Sequence, residues 1–258
     1  MKIDACGATH TGNLRSHNED NLYVDGVFRR NVQQNNVLIR SRRESGPYVY
    51  AVFDGLGGEA CGEQASLIAA LGLKGMEQRG VVRDIEHFVS TANKAIMKEA
   101  VRKEVRTMGT TAVIAVIEGS EARVYNIGDS RAYLLRNGKL SRVSRDHTVL
   151  QSLVDNGFTE EAERQKKRYA GELTQYIGMT SEEDIEPSAF EAFVTLEPGD
   201  MMLLCSDGLT GELSDDEIRD IMTSDSGRSA EYLTARLIKG AVDKAGSDNI
   251  TAIVCKVI

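Results

Sequence analysis

Residues 48–66 read YVYAVFDGLGGEACGEQAS. An apolar run ends in Asp54, glycines crowd behind it, and a helical pattern begins. Two readings compete. Gly55-Leu56-Gly57-Gly58-Glu59-Ala60 fits the G-x-G-x-x-G/A turn whose backbone N–H groups hold a pyrophosphate, as in a nucleotide-binding oxidoreductase. In the other reading Asp54 holds a metal ion. The dinucleotide turn requires a βαβ unit and an acid that ends a second strand about 20 residues further on. The acid at that distance, Glu77, lies in a helical run, and Asp54 would set a negative charge beside the pyrophosphate.

The pattern outside this stretch is not βαβ. Ala65, Ile68, Ala69, Gly72 and Met76 predict a helix within 59–77, and Ile85, Phe88, Val89, Ala92, Ile96 and Ala100 a second within 82–105. KIDACGATHTG and NLYVDGVF precede them as strands, and the polar stretch 29–46, with its short apolar VLI, reads as a hairpin or long loop. TTAVIAVIEG, EARVYNIGDS and RAYLLRNGKL are three β-rich runs, and Asn137-Gly138 marks a hairpin. Residues 148–156 predict a short helix closed by Gly157, and 158–169 a charged, weakly patterned surface excursion. FEAFVTL and DMMLLC are strands joined across Glu197-Pro198-Gly199; helices over 215–222 and 229–244 and a last strand, NITAIVCKVI, complete the chain. Strands and helices come in blocks, which predicts an α+β class. Runs such as TTAVIAVI and MMLLC are apolar at successive positions, so both faces of those strands are buried. Two packed sheets with helices outside satisfy that. No repeat or linker interrupts the 258 residues, so one domain spanning 1–258 is expected.

Composition narrows the function. The net charge of −8 disfavours nucleic acid as a partner, and with it a metal-dependent nuclease. The basic clusters Arg29-Arg30, Arg40 with Arg42-Arg43, and Lys166-Lys167-Arg168 are small and read as solvated loops. The absence of a long apolar run predicts no membrane span, and the polar start predicts a cytoplasmic protein. Cys6, Cys61, Cys205 and Cys255 form no CxxC, and the histidines show no metal-ligand spacing, so any metal is held by oxygen.

The acids have a pattern of their own. Asp54, Asp129 and Asp207 each end an apolar run, while Asp20 and Asp248 each precede one. In an antiparallel sheet the end of one strand lies beside the start of its neighbour. All five carboxylates are thereby expected at one edge of the sheets. Such a cluster repels itself unless cations intervene. A set of carboxylates without thiol or imidazole selects Mg²⁺ or Mn²⁺. Gly55 allows a tight turn and offers its carbonyl.

The motifs around these acids resemble a known family from end to end. RSHNEDN (15–21), VFDGLGG (52–58), MGTT (108–111), NIGDSRAY (126–133), SRDHT (144–148), LTQYIG (173–178), PGDMMLLCSDGLT (198–210) and DNIT (248–251) occur in the order found in bacterial metal-dependent protein phosphatases of the 2C family. The resemblance implies a β-sandwich of two antiparallel sheets flanked by helices on both outer faces, with a variable flap at about 157–176. It implies hydrolysis of phosphoserine and phosphothreonine in proteins by a hydroxide bridging two Mn²⁺ or Mg²⁺ ions, with a third, weaker ion in bacterial members. Asp54 would bridge the pair and the Gly55 carbonyl complete one shell. Asp207 and Asp248 would hold the first ion. Asp20, with Glu19 beside it, would reach the shell directly or through water. Asp129 would share the third ion with Asp207, with Glu160, Glu161 and Glu163 of the flap as further candidates. Arg15 would grip the substrate phosphate with its fork. Two positions depart from the family: Leu56 and Glu59 stand where many members carry histidine. His147 reads as structural. Phosphorylated proteins, opposed by a serine/threonine kinase, are the implied partners, and a monomer the implied state. A catalytically weak phosphoprotein-binding relative of the same fold is the alternative.

Overall fold

The computed structural model describes residues 1–56, 61–80, 82–179, 186–224 and 226–258. In chain order they form β1 (Ile3–His10), β2 (Asn21–Val24), β3 (Val27–Phe28), β4 (Val37–Arg40), β5 (Tyr48–Phe53) and β6 (Gly55–Leu56). Helices α1 (Gly62–Arg79) and α2 (Ile85–Lys103) follow. Next come β7 (Gly109–Thr110), β8 (Ala112–Glu118), β9 (Glu121–Ile127), β10 (Arg131–Arg136) and β11 (Lys139–Arg142), then α3 (Val149–Asp155) and α4 (Thr159–Gln165). The chain finishes with β12 (Phe190–Thr195), β13 (Met201–Cys205), α5 (Asp207–Thr210), α6 (Asp215–Ser224), α7 (Ala230–Lys244) and β14 (Ile250–Val257).

The long strands make two antiparallel sheets, β11-β10-β13-β14-β1-β4 and β12-β9-β8-β5-β2-β3. Side chains alternate between the two faces of each strand, and that alternation builds the layers. In β5, Val49, Ala51 and Phe53 pack with Ala69 and Leu73 of α1 and Phe88 of α2. Tyr50 and Val52 of the same strand face the other sheet, meeting Ala5, Leu204 and Cys255. In β13, Met202 and Leu204 point into that middle layer, whereas Met201 and Leu203 pack on Leu233 and Leu237 of α7. Both faces of these strands are therefore buried, as the unbroken apolar runs require. The four layers are α1/α2, sheet, sheet, α6/α7.

Local chemistry sets the ends of the elements. The Asp84 and Ser229 side chains accept from the N–H groups of His87 and Tyr232 and cap α2 and α7. Gly80, at φ +71°, closes α1. Asn137 and Gly138 both take positive φ, the geometry of the tight turn between β10 and β11.

Two segments gain elements that the sequence did not show. The VLI of 29–46 is β4, paired with β1 at the end of a sheet. The excursion 158–169 contains α4, whose single buried residue, Ala162, leaves too little apolar periodicity to be read. The connection across Glu197-Pro198-Gly199 carries the chain from β12 in one sheet to β13 in the other. Among the described residues, no helix is long and apolar enough to cross a membrane.

Leu203 is fully buried between β13 and α7. Leu203→Ala is expected to lower the unfolding free energy by about 2–5 kcal/mol. Urea denaturation followed by circular dichroism measures it, and a loss well under that range would mean that the α7 layer collapses onto the gap.

Candidate active site

Strand pairing brings the acids together. Asn21 of β2 faces Phe53 of β5, so Asp20 and Asp54 lie side by side just beyond that rung. Cys205 of β13 faces Ala252 of β14, which sets Asp207 and Asp248 at the same end of the other sheet. Asp129 sits in the link from β9 to β10, where the chain crosses between sheets. Between them opens a cleft of about 220 Å³ lined by Arg15, Glu19, Asp54, Gly55, Asp129, Asp207 and Asp248. Asp20 does not line it. It lies beneath, 1% exposed, where its Oδ2 accepts from Ser206 Oγ at 2.8 Å and Thr251 Oγ1 at 2.6 Å.

The electrostatics are those of crowded, buried carboxylates. Burial, then the Asp207 and Asp248 charges working against two hydrogen bonds, pushes Asp20 up to about 7. Burial and the Asp207 and Asp146 charges push Asp129 up to about 7, and burial with Glu63 pushes Glu19 to about 7. Asp54 is raised well above the ordinary carboxylate range, by burial first and then by Asp20, Asp207 and Asp129. The Asp54 and Asp207 carboxyls lie within hydrogen-bonding reach, a contact that raises Asp54 and lowers Asp207. Asp248 instead takes Arg15: Nη2 lies 2.8 Å from Oδ2, and both side chains are partly exposed.

Several residues of this scaffold carried no assignment from sequence. Asn249 Nδ2 donates to the carbonyls of Thr11 at 2.8 Å and His17 at 2.9 Å, and its Oδ1 accepts from Glu19 N–H at 2.8 Å. It thus ties the 11–19 loop to the start of β14. Thr110 Oγ1 and Thr111 N–H donate to the Asp54 carbonyl at 2.9 and 2.8 Å. Their signal was the polar residues of DNIT and MGTT set against apolar strands, where a buried polar group must find a partner. Arg29, expected in a solvated loop, is 2% exposed and donates to the Asn18 carbonyl at 2.7 Å. His147 is structural as expected: its Nδ1 accepts from Gly128 N–H at 3.3 Å, and burial lowers its pKa.

The glycines serve close approach more than turning. Gly55 continues as β6 beside β7, and a Cβ there would lie 2.3 Å from the Gly62 carbonyl oxygen and 2.5 Å from that of Glu19. A Cβ on Gly208 would lie 2.0 Å from the Asn249 carbonyl oxygen. Both allow acid-bearing segments to touch. Leu56 lines the cleft; Glu59, with Gly57 and Gly58, lies outside the described residues. A neighbouring hollow of about 290 Å³ shares Asp129 and Asp207 with the cleft and is bounded by Glu163 of α4, but not by Glu160 or Glu161. There Asp146 is held by Arg131 at 2.8 Å and Arg142 at 3.0 Å.

Whether these residues suit a divalent ion can be judged from their chemistry. Every ionisable donor in the cleft is an oxygen acid, and each has neighbours whose repulsion a cation would relieve. Among the described residues, no three acidic, histidine or cysteine side chains stand arranged to hold an ion together. Asp248 is turned to Arg15, Asp20 to Ser206 and Thr251, and Asp54 to Asp207. The set fits in chemical type and location, and side-chain rotation is what convergence would require.

A pH dependence follows. With folded-state values raised from 3.8 to about 7 at Asp20 and Asp129, the folded chain binds more protons than the unfolded one in between. Their stabilising contribution is complete below the ordinary carboxylate range and is lost as the pH rises through about 7. In chelating buffer, Tm should fall over that interval, and Asp207→Asn, which removes the charge that raises both Asp20 and Asp129, should make the fall shallower. Calorimetric scans across the interval measure it; an equal slope in both proteins would contradict the account.

A family model described as Protein phosphatase 2C matches residues 32–239. The chain is 31% identical over 243 residues to the serine/threonine protein phosphatase PstP of Mycobacterium tuberculosis, covering 90% of this chain but only 45% of that one. It therefore spans less than half the length of that relative. To protein phosphatase PhpP of Streptococcus pneumoniae it is 32% identical over 250 residues, covering 94% of this chain and 93% of PhpP. The crystal structure of the PstP catalytic domain in complex with two manganese ions superposes with a TM-score of 0.76 at 27% identity, over 99% of each chain. The chain belongs to the protein phosphatase 2C family.

Proposed function

We propose that residues 1–258 act as one catalytic unit, a metal-dependent phosphatase that hydrolyses phosphoserine and phosphothreonine in proteins. The observation that carries this is the meeting of Asp54, Asp129, Asp207 and Asp248 in one cleft with a partly exposed arginine at its mouth. Asp54, Asp207, Asp248 and the Gly55 carbonyl are the proposed ligands of two Mn²⁺ or Mg²⁺ ions. Asp20 and Glu19 act directly or through water, and Asp129 with Asp207 offers a third, weaker position. Ions held by these residues would supply Lewis acidity and a hydroxide nucleophile near neutral pH for attack on phosphorus.

The chain's own groups do the rest. Arg15, once it leaves Asp248, presents paired N–H groups to the phosphate oxygens and stabilises charge that builds there. The Ser206 and Thr251 hydroxyls hold the Asp20 carboxylate in one orientation. Thr110 and Thr111 fix the backbone of Asp54. Leu56 has no proton to give, so the proton taken up by the departing serine or threonine oxygen comes from water. The relatives named as serine/threonine phosphatases support the substrate class, and an opposing kinase is the expected partner.

Asp54→Asn is expected to cut Mn²⁺-dependent hydrolysis of p-nitrophenyl phosphate by at least about 100-fold, the upper end of what loss of an outer-shell partner costs, while the fold is retained. Arg15→Ala should lower kcat/KM by about tenfold or more, the loss of a charge-assisted hydrogen bond. Near wild-type turnover in Asp54→Asn would sink the assignment. Phosphopeptide binding without turnover, with or without Mn²⁺, would favour the non-catalytic relative.

A further inference from the structure

The basic clusters at Arg29-Arg30, Arg40 and Arg42-Arg43 are not used by the cleft. Between Gly26 and Arg43 there are five arginines and no acid, in a chain of net charge −8. Arg29 is buried, which leaves four around β4. Among the described residues that strand is the last of its sheet, with β1 on one side and no strand on the other.

Its hydrogen bonding can be assigned. Ser41 N–H donates to the Ala5 carbonyl at 2.9 Å, one rung beyond Cys6–Arg40. Hydrogen-bonded and non-bonded pairs alternate in an antiparallel ladder, so Ile39 and Val37 bond to β1 while Leu38 and Arg40 turn N–H and C=O outward. Among the described residues, nothing takes those outward groups.

A groove runs along each side of the strand. One of about 1000 Å³ lies toward the second sheet, lined by Val24, Val27 and Ile39 with Arg42, Arg43 and Asp25, whose buried carboxylate accepts from Ser41 and faces Arg43. Another of about 450 Å³ lies toward α7, lined by Ala8, Leu38, Ala235, Ile238 and Val242. Leu38 borders both and is 47% exposed; Val27 is 53% exposed. Short length and charge are ordinary protections of a free edge. An apolar groove on each face is not part of such protection. It is what an added strand needs, because successive side chains of an extended peptide point to opposite faces.

We propose that β4 is a docking edge for an extended, acidic segment of a partner protein, which adds as a strand and places alternate apolar side chains in the two grooves. Charge selects this occupant. Arg40 is paired with Glu231 and Arg43 with Glu77, but Arg42 has no carboxylate partner among the described residues and Arg30 lies only over the Phe28 ring. Like charges oppose a second copy of this arginine-rich edge, whereas carboxylates on the incoming segment meet free guanidinium groups.

The test is to pan a display library of random peptides against the intact protein and measure the enriched peptides by fluorescence anisotropy. Enriched peptides should carry carboxylates beside alternating apolar residues and slow amide exchange at Leu38 and Arg40. Leu38→Pro removes an outward N–H without touching the β1 ladder, and Arg42→Glu reverses the free charge. Each should weaken binding by about fivefold or more, the loss of one strand hydrogen bond or one ion contact, with p-nitrophenyl phosphate turnover unchanged. Absence of acidic enrichment, binding indifferent to both substitutions, or a dimer in sedimentation that Leu38→Pro dissociates would each overturn the proposal.

Discussion

Mutual repulsion among carboxylates at one end of the sandwich is the constraint around which the rest of the molecule is arranged. Asp20, Asp54, Asp129 and Asp207 lie close enough to raise one another's pKa, and burial adds to the effect. No fold gains stability from such a cluster in isolation. The protein tolerates it through protons, through the Asp54–Asp207 contact, and through hydroxyl donors on Asp20. The cost is concentrated where a cation would relieve it, which is the usual mark of a functional site.

The scaffold that bears this cost is the antiparallel sandwich. β2–β5 in one sheet and β13–β14 in the other each deliver two acids to the same end. The hydroxyls holding Asp20 come from Ser206 and Thr251 at the ends of β13 and β14, while Asp20 itself precedes β2 in the opposite sheet. That contact therefore couples the sheets at the site. Glycines at 55 and 208 let the acid-bearing segments meet without intervening side chains. Hydrophobic layers on either side of each sheet keep the strand ends in register.

Much of this was legible in the sequence because antiparallel pairing converts position into proximity. An acid that ends one apolar run and an acid that begins another must be neighbours if the strands pair, and Asp20 with Asp54 shows it. The layers were legible for a similar reason, since MMLLC leaves no polar face. What was hidden depended on tertiary contact. Arg29 looks like a surface arginine until the Asn18 carbonyl and the surrounding loop close over it. Asn249 is a letter in a motif until its amide bridges Thr11, His17 and Glu19. Gly55 reads as a turn residue, but the crowding that requires it comes from Gly62 and Glu19, distant or different segments that only the fold brings together. β4 has four residues, too few to show a period, and is defined by its partner β1.

The central claim is that this cluster of acids is a binding site for paired divalent ions. The most direct measurement is an anomalous difference map from crystals soaked in Mn²⁺, recorded for wild type and for Asp54→Asn. The account predicts two strong peaks in the cleft that share the Asp54 carboxylate, with Asp207 and Asp248 beside one of them, and loss of the pair in the variant. Peaks elsewhere on the surface, or a cleft without anomalous signal at saturating Mn²⁺, would contradict it.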